Sequence, residues 1–537
     1  FNDGGTVYVS ALGSDHAGTG VESPASCAFR SLTTALAKAG SAGIPKVLAL
    51  GADPGNAAIF DSPNGETFPL QIPTGVTLST DIEASGGSTS SEAYEIEFDS
   101  PSAASAVVLS TGSSIVGFTV QTLPIGNAAA VAVSCGTPGS SSVADSLLQG
   151  PENGSNQSLV LSNPGVEVTG QCSLSLSNVT VQDYGGAGVS LANAASAAID
   201  GGSILNNGWG ETDGGCTGDG IHMESTGALS IDNTTIAGSY WYGLHAQSGT
   251  VTGTNVSILG IPATGANFGY AFGGLGLGDF YFCSTNSSAR VTLTNVEING
   301  LGSDDYDGVD LVGGTLALLG DVSITRHGYF GVDVFSGTAY LENPTIKSNW
   351  GSGVRNDSLG VTAPTLTLDG GTIGPDDVSA TGFSELVFSN TGAGNLALIG
   401  TTVQDNPHLT KGDAWGVDLG GPGAYSLTNC DIVGNGGTGL HLNGTSNDLK
   451  VFSGNRIHDN GGDQILVSGG SWNLSAPAGC DGGQNAIYGY QTGYVGLAVD
   501  AGKATANDDS WQNPTPVAGV DYYGSLTTPA ASCGDAG

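Results

Sequence analysis

The chain has 537 residues, 39% apolar and only 11% charged, with 90 glycines. Lys and Arg number 11 against 49 Asp and Glu, giving a net charge of −38, so the chain is depleted in bases rather than loaded with acid. Without Lys and Arg to displace counterions, nucleic acid is excluded as a partner. No run of about 20 apolar residues encodes a transmembrane helix.

At the start, Thr6-Val-Tyr-Val-Ser reads as a strand. The stretch from Phe29 to Gly40 carries the one helical period, with Ser31 as N-cap and Gly40 as the stop. Val47-Leu-Ala-Leu50 begins the next strand. A short helix here would cover an otherwise open end of a stacked core. With no initiator Met and no signal peptide, Phe1 reads as a mature end left by processing.

From there a repeat takes over. Leu174-Ser-Leu-Ser-Asn178-Val-Thr-Val181 returns as Leu229-Ser-Ile-Asp-Asn233-Thr-Thr-Ile236 and Val291-Thr-Leu-Thr-Asn295-Val-Glu-Ile298. Further copies turn on Gly201, Asn255, Asn343, Gly370, Gly400 and Asn429, with looser ones near Gly320 and Gly454. Steps of 22 to 29 residues recur, and larger steps imply loop insertions near 205–219 and 261–289. Strict alternation puts one set of side chains inside and the other outside. Asn and Gly tolerate a left-handed backbone, so their column predicts a bend between strands. A unit this short cannot bury its own apolar face, so the copies must stack as a parallel β-helix.

A second register, Gly-apolar-X-apolar, places Ser190, His222, His245, Gly276, Asp310, Asp333, Arg355, Val387, Asp418 and His441 at X, predicted to point outward. Tyr184, Trp209, Trp241, Tyr306, Phe330, Trp350 and Trp415 precede this column. Two readings compete. In one, the rings stack on sugars along a groove that also takes Asp307, and Asp310 and Asp333 serve as acid and base, one carboxyl raised by its neighbour. In the other, Asp333 with Arg355 and Asp418 with His441 are cross-strand pairs that balance charge. Calcium is weighed at Asp304, Asp305 and Asp307, although their spacing matches no defined calcium loop.

Eight cysteines with no CxxC pair point to disulfides in an oxidising compartment. Cys216 with Cys283 is the first pair to test and Cys135 with Cys172 the second. After about residue 470 the coil pattern decays, and 471–537 reads as a C-terminal cap. Residues 1–100 then form the capping module with the first coils, and 101–470 the coils, as one continuous elongated body.

Tyr8-Val-Ser, Gly13-Ser-Asp, Pro24, Phe29-Arg-Ser-Leu and Ala35-Leu resemble the N-terminal module of bacterial proteins in the pectin-lyase-like superfamily, and the coils are similar to it over most of the chain. The resemblance implies an all-β, single-stranded right-handed parallel β-helix and, more loosely, carbohydrate. It implies no reaction. The uronate-lyase arginine motif, Gly-Asp-Asp and Gly-His-Gly are missing, and Asn406-Pro-His408 resembles the Asp-Pro-His of alginate epimerases with its first residue changed. The expectation is therefore a secreted or surface-exposed structural and binding protein that adheres to polysaccharide or self-assembles as a fibre. A carbohydrate hydrolase or lyase using Asp310 and Asp333 is the alternative.

Overall fold

The computed structural model describes residues 5–10, 28–51, 58–81, 94–100, 103–123, 131–151, 163–209, 218–260, 273–278, 287–301, 307–356, 358, 362–376, 385–389, 394–406, 415–444, 449–474, 485–506, 510–511, 517–519, 521–524 and 526–527. The chain divides into two compact units, residues 1–259 with 281–284, and residues 260–280 with 285–537.

In the first unit, strand Thr6–Ser10 pairs in parallel with Lys46–Leu50. The helix Leu32–Ala42 buries Leu32, Ala35, Leu36 and Ala39. Ser31 is its N-cap, with Oγ accepting from Thr34 N–H at 3.2 Å. Glu66, 34 residues away, completes the cap: its carboxylate accepts from Leu32 N–H at 2.6 Å and Thr33 N–H at 2.8 Å. A negative charge at a helix N-terminus meets unpaired N–H groups and the positive end of the dipole. The predicted stop is corrected. The helix passes through Gly40 and ends at Gly43, which takes φ 64°. Gly40 is small for another reason, since a Cβ there would lie 2.9 Å from Pro73 Cγ.

Past the helix every described rung is parallel. Leu176, Ile199 and Ile231 are registered partners, as are Val181, Ile204 and Ile236. All six are at most 2% exposed. Each fully buried aliphatic side chain contributes roughly 1.5–3 kcal/mol. The predicted bend column is left-handed throughout: Asn178, Asn233, Asn255, Asn295, Asn343 and Asn429 have φ between 46° and 56°, and Gly201, Gly320, Gly370, Gly400 and Gly454 are also positive. A second bend column was not foreseen. It includes Asp183, Asn206 and Gly238 in the first unit and Arg326, Ser348, Asp405, Gly434 and Asp459 in the second, mostly Asp, Asn and Gly but interrupted by Arg326 and Ser348.

The second unit repeats the scheme. Ile298, Ile324, Ile346 and Ile373 form one inward column and Leu293, Leu318, Leu341 and Leu368 another. The glycine of Gly-apolar-X-apolar is a steric requirement. At Gly331 a Cβ would sit 2.5 Å from Ile346 Cγ2 and 2.7 Å from Gly353 O. One register is corrected: Val387 pairs with Val354 and Val417 on the inward side, so the residue following Arg355 in the X column is Phe388. Parallel pairing also continues beyond residue 470, where Ile457 meets Ile487 and Ile465 meets Leu497.

Cys135 and Cys172 form a disulfide with Cα atoms 6.0 Å apart. By loop entropy, closing its 37-residue separation is worth about 4 kcal/mol. Cys216 and Cys283 lie outside the described residues. Cys430 is a buried free thiol, pushed up to about 11 by burial.

Candidate functional site

Apart from Val387, the X column is registered as expected, but it is not outside in solvent. Its side chains face away from the aliphatic core and are still covered. Exposure is 3% at His222, 1% at His245, 2% at Asp310, 1% at Asp333, 0% at Asp418 and 4% at His441. This corrects the outward, solvated ladder. Alternation sets which face a residue takes, whereas burial depends on what lies over that face.

In the first unit, Ser190, His222 and His245 occupy successive rungs. Asp219 sits among them. Its Oδ2 lies 2.7 Å from His222 Nδ1 and 3.1 Å from His245 Nδ1, and its Oδ1 accepts from Tyr242 N–H at 3.0 Å. The imidazoles meet edge to face at 5.1 Å, and Tyr242 lies 5.0 Å from His245. Burial opposes charge on His222, but hydrogen bonds to Asp219 and Glu224 outweigh it and push the imidazole up to about 9. Burial also opposes ionisation of Asp219, and the two histidines overcome it, holding the carboxyl below its usual range. The three residues offer ligand atoms within 4.8 Å of one another, which is compatible with a metal. At 2.7 Å, however, the closest pair is a hydrogen bond, and an ion would have to displace that proton. Sequence reading chose both histidines and passed over Asp219, whose signal is its place immediately before Gly220.

In the second unit, Gly276, Asp310, Asp333 and Arg355 are consecutive rung partners. The expected Asp333–Arg355 pair forms, at 3.6 Å. The guanidinium lies over Phe330 at 5.0 Å and Phe335 at 4.8 Å, where cation–π attraction adds to the charge pair. Asp307, in the same cluster, is a buried carboxyl with a raised pKa. Burial pushes it up to about 7, against the pull of the Phe330 amide and of Arg355. The largest cause at Asp307 is desolvation. Asp304, Asp305 and Tyr306 lie outside the described residues. Asp307 Oδ1 is engaged by Phe330 N–H at 3.0 Å.

Farther along, His441 Nδ1 meets Asp418 Oδ1 at 2.8 Å, as the charge-balancing reading predicted, and Trp415 lies 4.1 Å from the imidazole. His441 Nε2 also reaches Ser468 Oγ at 2.7 Å, a partner no spacing had suggested. The rings divide. Tyr184, Trp241 and Phe330 are buried, whereas Trp350 is 37% exposed and the neighbouring Tyr329 39%.

Sequence reading also missed the buried amides three residues after the inward Ile or Val. Asn435 donates from its Nδ2 to Val403 O at 3.3 Å, and its N–H donates to Asn460 Oδ1 at 3.1 Å. Asn460 continues to Gln464. His327, Asn349 and Asp376 form another such run, in which burial pushes Asp376 up to about 7 and His327 down to about 4. A constant offset from the inward residue was the available signal.

Two family models match: a protein of unknown function (DUF1565) over residues 12–213 and a right-handed β-helix region over residues 164–267. No curated protein matches. Among solved structures, the Dettilon tailspike protein is 14% identical with a TM-score of 0.37, covering 74% of this chain and 64% of its own. The chain thus spans just under two thirds of that tailspike. The A-module of mannuronan C-5 epimerase AlgE4 from Azotobacter vinelandii is 12% identical with a TM-score of 0.26, covering 93% and 95%. Among the described residues no helix is long and apolar enough to cross a membrane. The right-handed β-helix match, together with the all-parallel rungs of both units, makes this chain a right-handed parallel β-helix.

Proposed function

We propose that the chain is an extracellular polysaccharide-binding β-helix that holds its glycan by aromatic stacking. The observation that carries this is the exposed ring pair Tyr329 and Trp350, at 39% and 37% exposure. Their coils are adjacent: Trp350 N–H donates to His327 O and Gly351 N–H to Tyr329 O, both at 2.8 Å. Neighbouring strands lie about 4.8 Å apart, so the two residues offer amphipathic rings in succession along the coil axis. Rings of this kind combine apolar area with a polar tip, which suits a sugar face.

A net charge of −38 disfavours an acidic glycan and favours a neutral one. The Cys135–Cys172 disulfide supports an oxidising, extracellular location. Asp310 and Asp333, at 2% and 1% exposure, are too covered to touch a glycosidic bond as they stand, which favours binding over cleavage.

Affinity electrophoresis through gels containing neutral or acidic polysaccharides tests the reading. Wild-type protein should be retarded by at least one neutral glycan, and Tyr329→Ala and Trp350→Ala should each weaken binding by roughly two- to tenfold. Undiminished retardation of the double variant would sink it. Ordered fibres in electron micrographs with no glycan retention would instead make self-association the function.

A further inference from the structure

We infer that Ser468, His441 and Asp418 form a nucleophile–base–carboxylate triad that hydrolyses an uncharged ester, an activity independent of the aromatic pair. Asp418 and His441 are registered partners, and His441 pairs in turn with Leu466, two residues before Ser468. Three consecutive rungs thus deliver the three groups in line. His441 Nδ1 lies 2.8 Å from Asp418 Oδ1, and its Nε2 lies 2.7 Å from Ser468 Oγ. A carboxylate only accepts, so Nδ1 carries the proton and Nε2 turns its lone pair to the serine hydroxyl.

Burial is graded as the chemistry needs. Asp418 is fully buried, His441 is 4% exposed and Ser468 is half-buried, so only the nucleophile meets solvent. Ser468 N–H donates to Leu442 O at 3.0 Å, fixing the serine backbone, and Trp415 packs at 4.1 Å from the imidazole. The first-unit cluster lacks this arrangement: there both Nδ1 atoms converge on Asp219, and His245 Nε2 has no hydrogen-bond partner among the described residues.

In the reaction, Ser468 Oγ bonds to the ester carbonyl carbon as His441 Nε2 takes the hydroxyl proton. Collapse of the tetrahedral intermediate breaks the carbon–oxygen bond, and the departing alcohol takes that proton. Water, deprotonated by His441, then attacks the acyl-serine, releasing the carboxylic acid and restoring the hydroxyl. Ser468 and His441 are catalytic residues, and Asp418 is a positioning residue. With 11 Lys and Arg against 49 acids, little draws in an anionic acyl group, hence the uncharged ester.

The test treats the full chain with a fluorophosphonate probe, maps the labelled peptide and follows p-nitrophenyl acetate and butyrate turnover. Labelling should fall on Ser468. Ser468→Ala and His441→Gln should each lower turnover at least about hundredfold while keeping the wild-type circular dichroism and melting curve. Asp418→Asn should force the proton onto Nε2, so its labelling rate should climb with hydroxide concentration where the wild-type rate levels off. A folded wild-type chain that leaves Ser468 unlabelled, with turnover no faster than Ser468→Ala, overturns the triad.

Discussion

Asp219 and Asp307 occupy the same place in two different coils, one in each unit. Each precedes a glycine, Gly220 or Gly308, and an X residue follows three positions on, His222 or Asp310. A second X residue stands 26 positions on, His245 or Asp333. Each aspartate accepts at 3.0 Å from the N–H of an aromatic residue 23 positions later, Tyr242 or Phe330. Burial opposes ionisation of both. Two imidazoles overcome it at Asp219, whose carboxyl lies below its usual range. Asp307 has no imidazole at these offsets, and burial pushes it up to about 7 against the pull of the Phe330 amide and of Arg355. The coil geometry therefore sets the hydrogen bond at both, and imidazoles at X offset the cost of burial at Asp219 alone.

The largest expected break comes at the cation that closes the second-unit cluster. Arg355→Ala leaves Asp333, 1% exposed, without its ion-pair partner. It should cost about 3–5 kcal/mol in denaturant unfolding. Adding Asp333→Asn and replacing Arg355 by Met should restore most of that. A cost for Arg355→Ala within about 1 kcal/mol of wild type would mean that the pair does not close the cluster.

Next is Asp219→Asn. His222, pushed up to about 9, has a folded-state value above the unfolded value of about 6.5. Its contribution is full below about pH 6.5 and disappears as pH rises through 9. The substitution should lower stability at pH 6 by about 2–3 kcal/mol, change it less at pH 9.5, and drop the imidazole titration seen by NMR.

The smallest effect is the exchange that converts one cluster toward the other. Asp307 at about 7 favours its neutral form in the fold, so wild-type stability should decline as pH rises from about 4 to 7 and stay lower above. Asp310→His places an imidazole at the offset of His222. It should bring Asp307 down and reduce the loss between pH 5 and 8 by about 1–2 kcal/mol. An unchanged slope would show that the X residue does not govern the carboxyl.

Much of the fold was legible because its rules are local. Alternation assigns Leu176 and Ile199 to the core, and Asn178, Asn233 and Asn295 announce a bend because few residues tolerate φ near 50°. The second bend column stayed hidden, since Arg326 and Ser348 adopt left-handed backbone against their type. At the candidate site, the pairings Asp333–Arg355 and Asp418–His441 could be read from a step of 22 or 23 residues. Asp219 could not, because it stands outside the X column, and Ser468 escaped because it lies two residues past its rung.

By itself, then, the sequence determined the coil period, the inward columns, the main bend and, Val387 apart, the order of groups along the X ladder. All of these follow from backbone stereochemistry and from steps of one coil. Only the tertiary structure decided that the ladder is covered, that Glu66 caps the helix 34 residues before it, and that His441 holds a carboxylate on one nitrogen and a hydroxyl on the other. Burial and hydrogen-bond closure depend on atoms that chain distance does not bring together, and a repeat period carries no information about them.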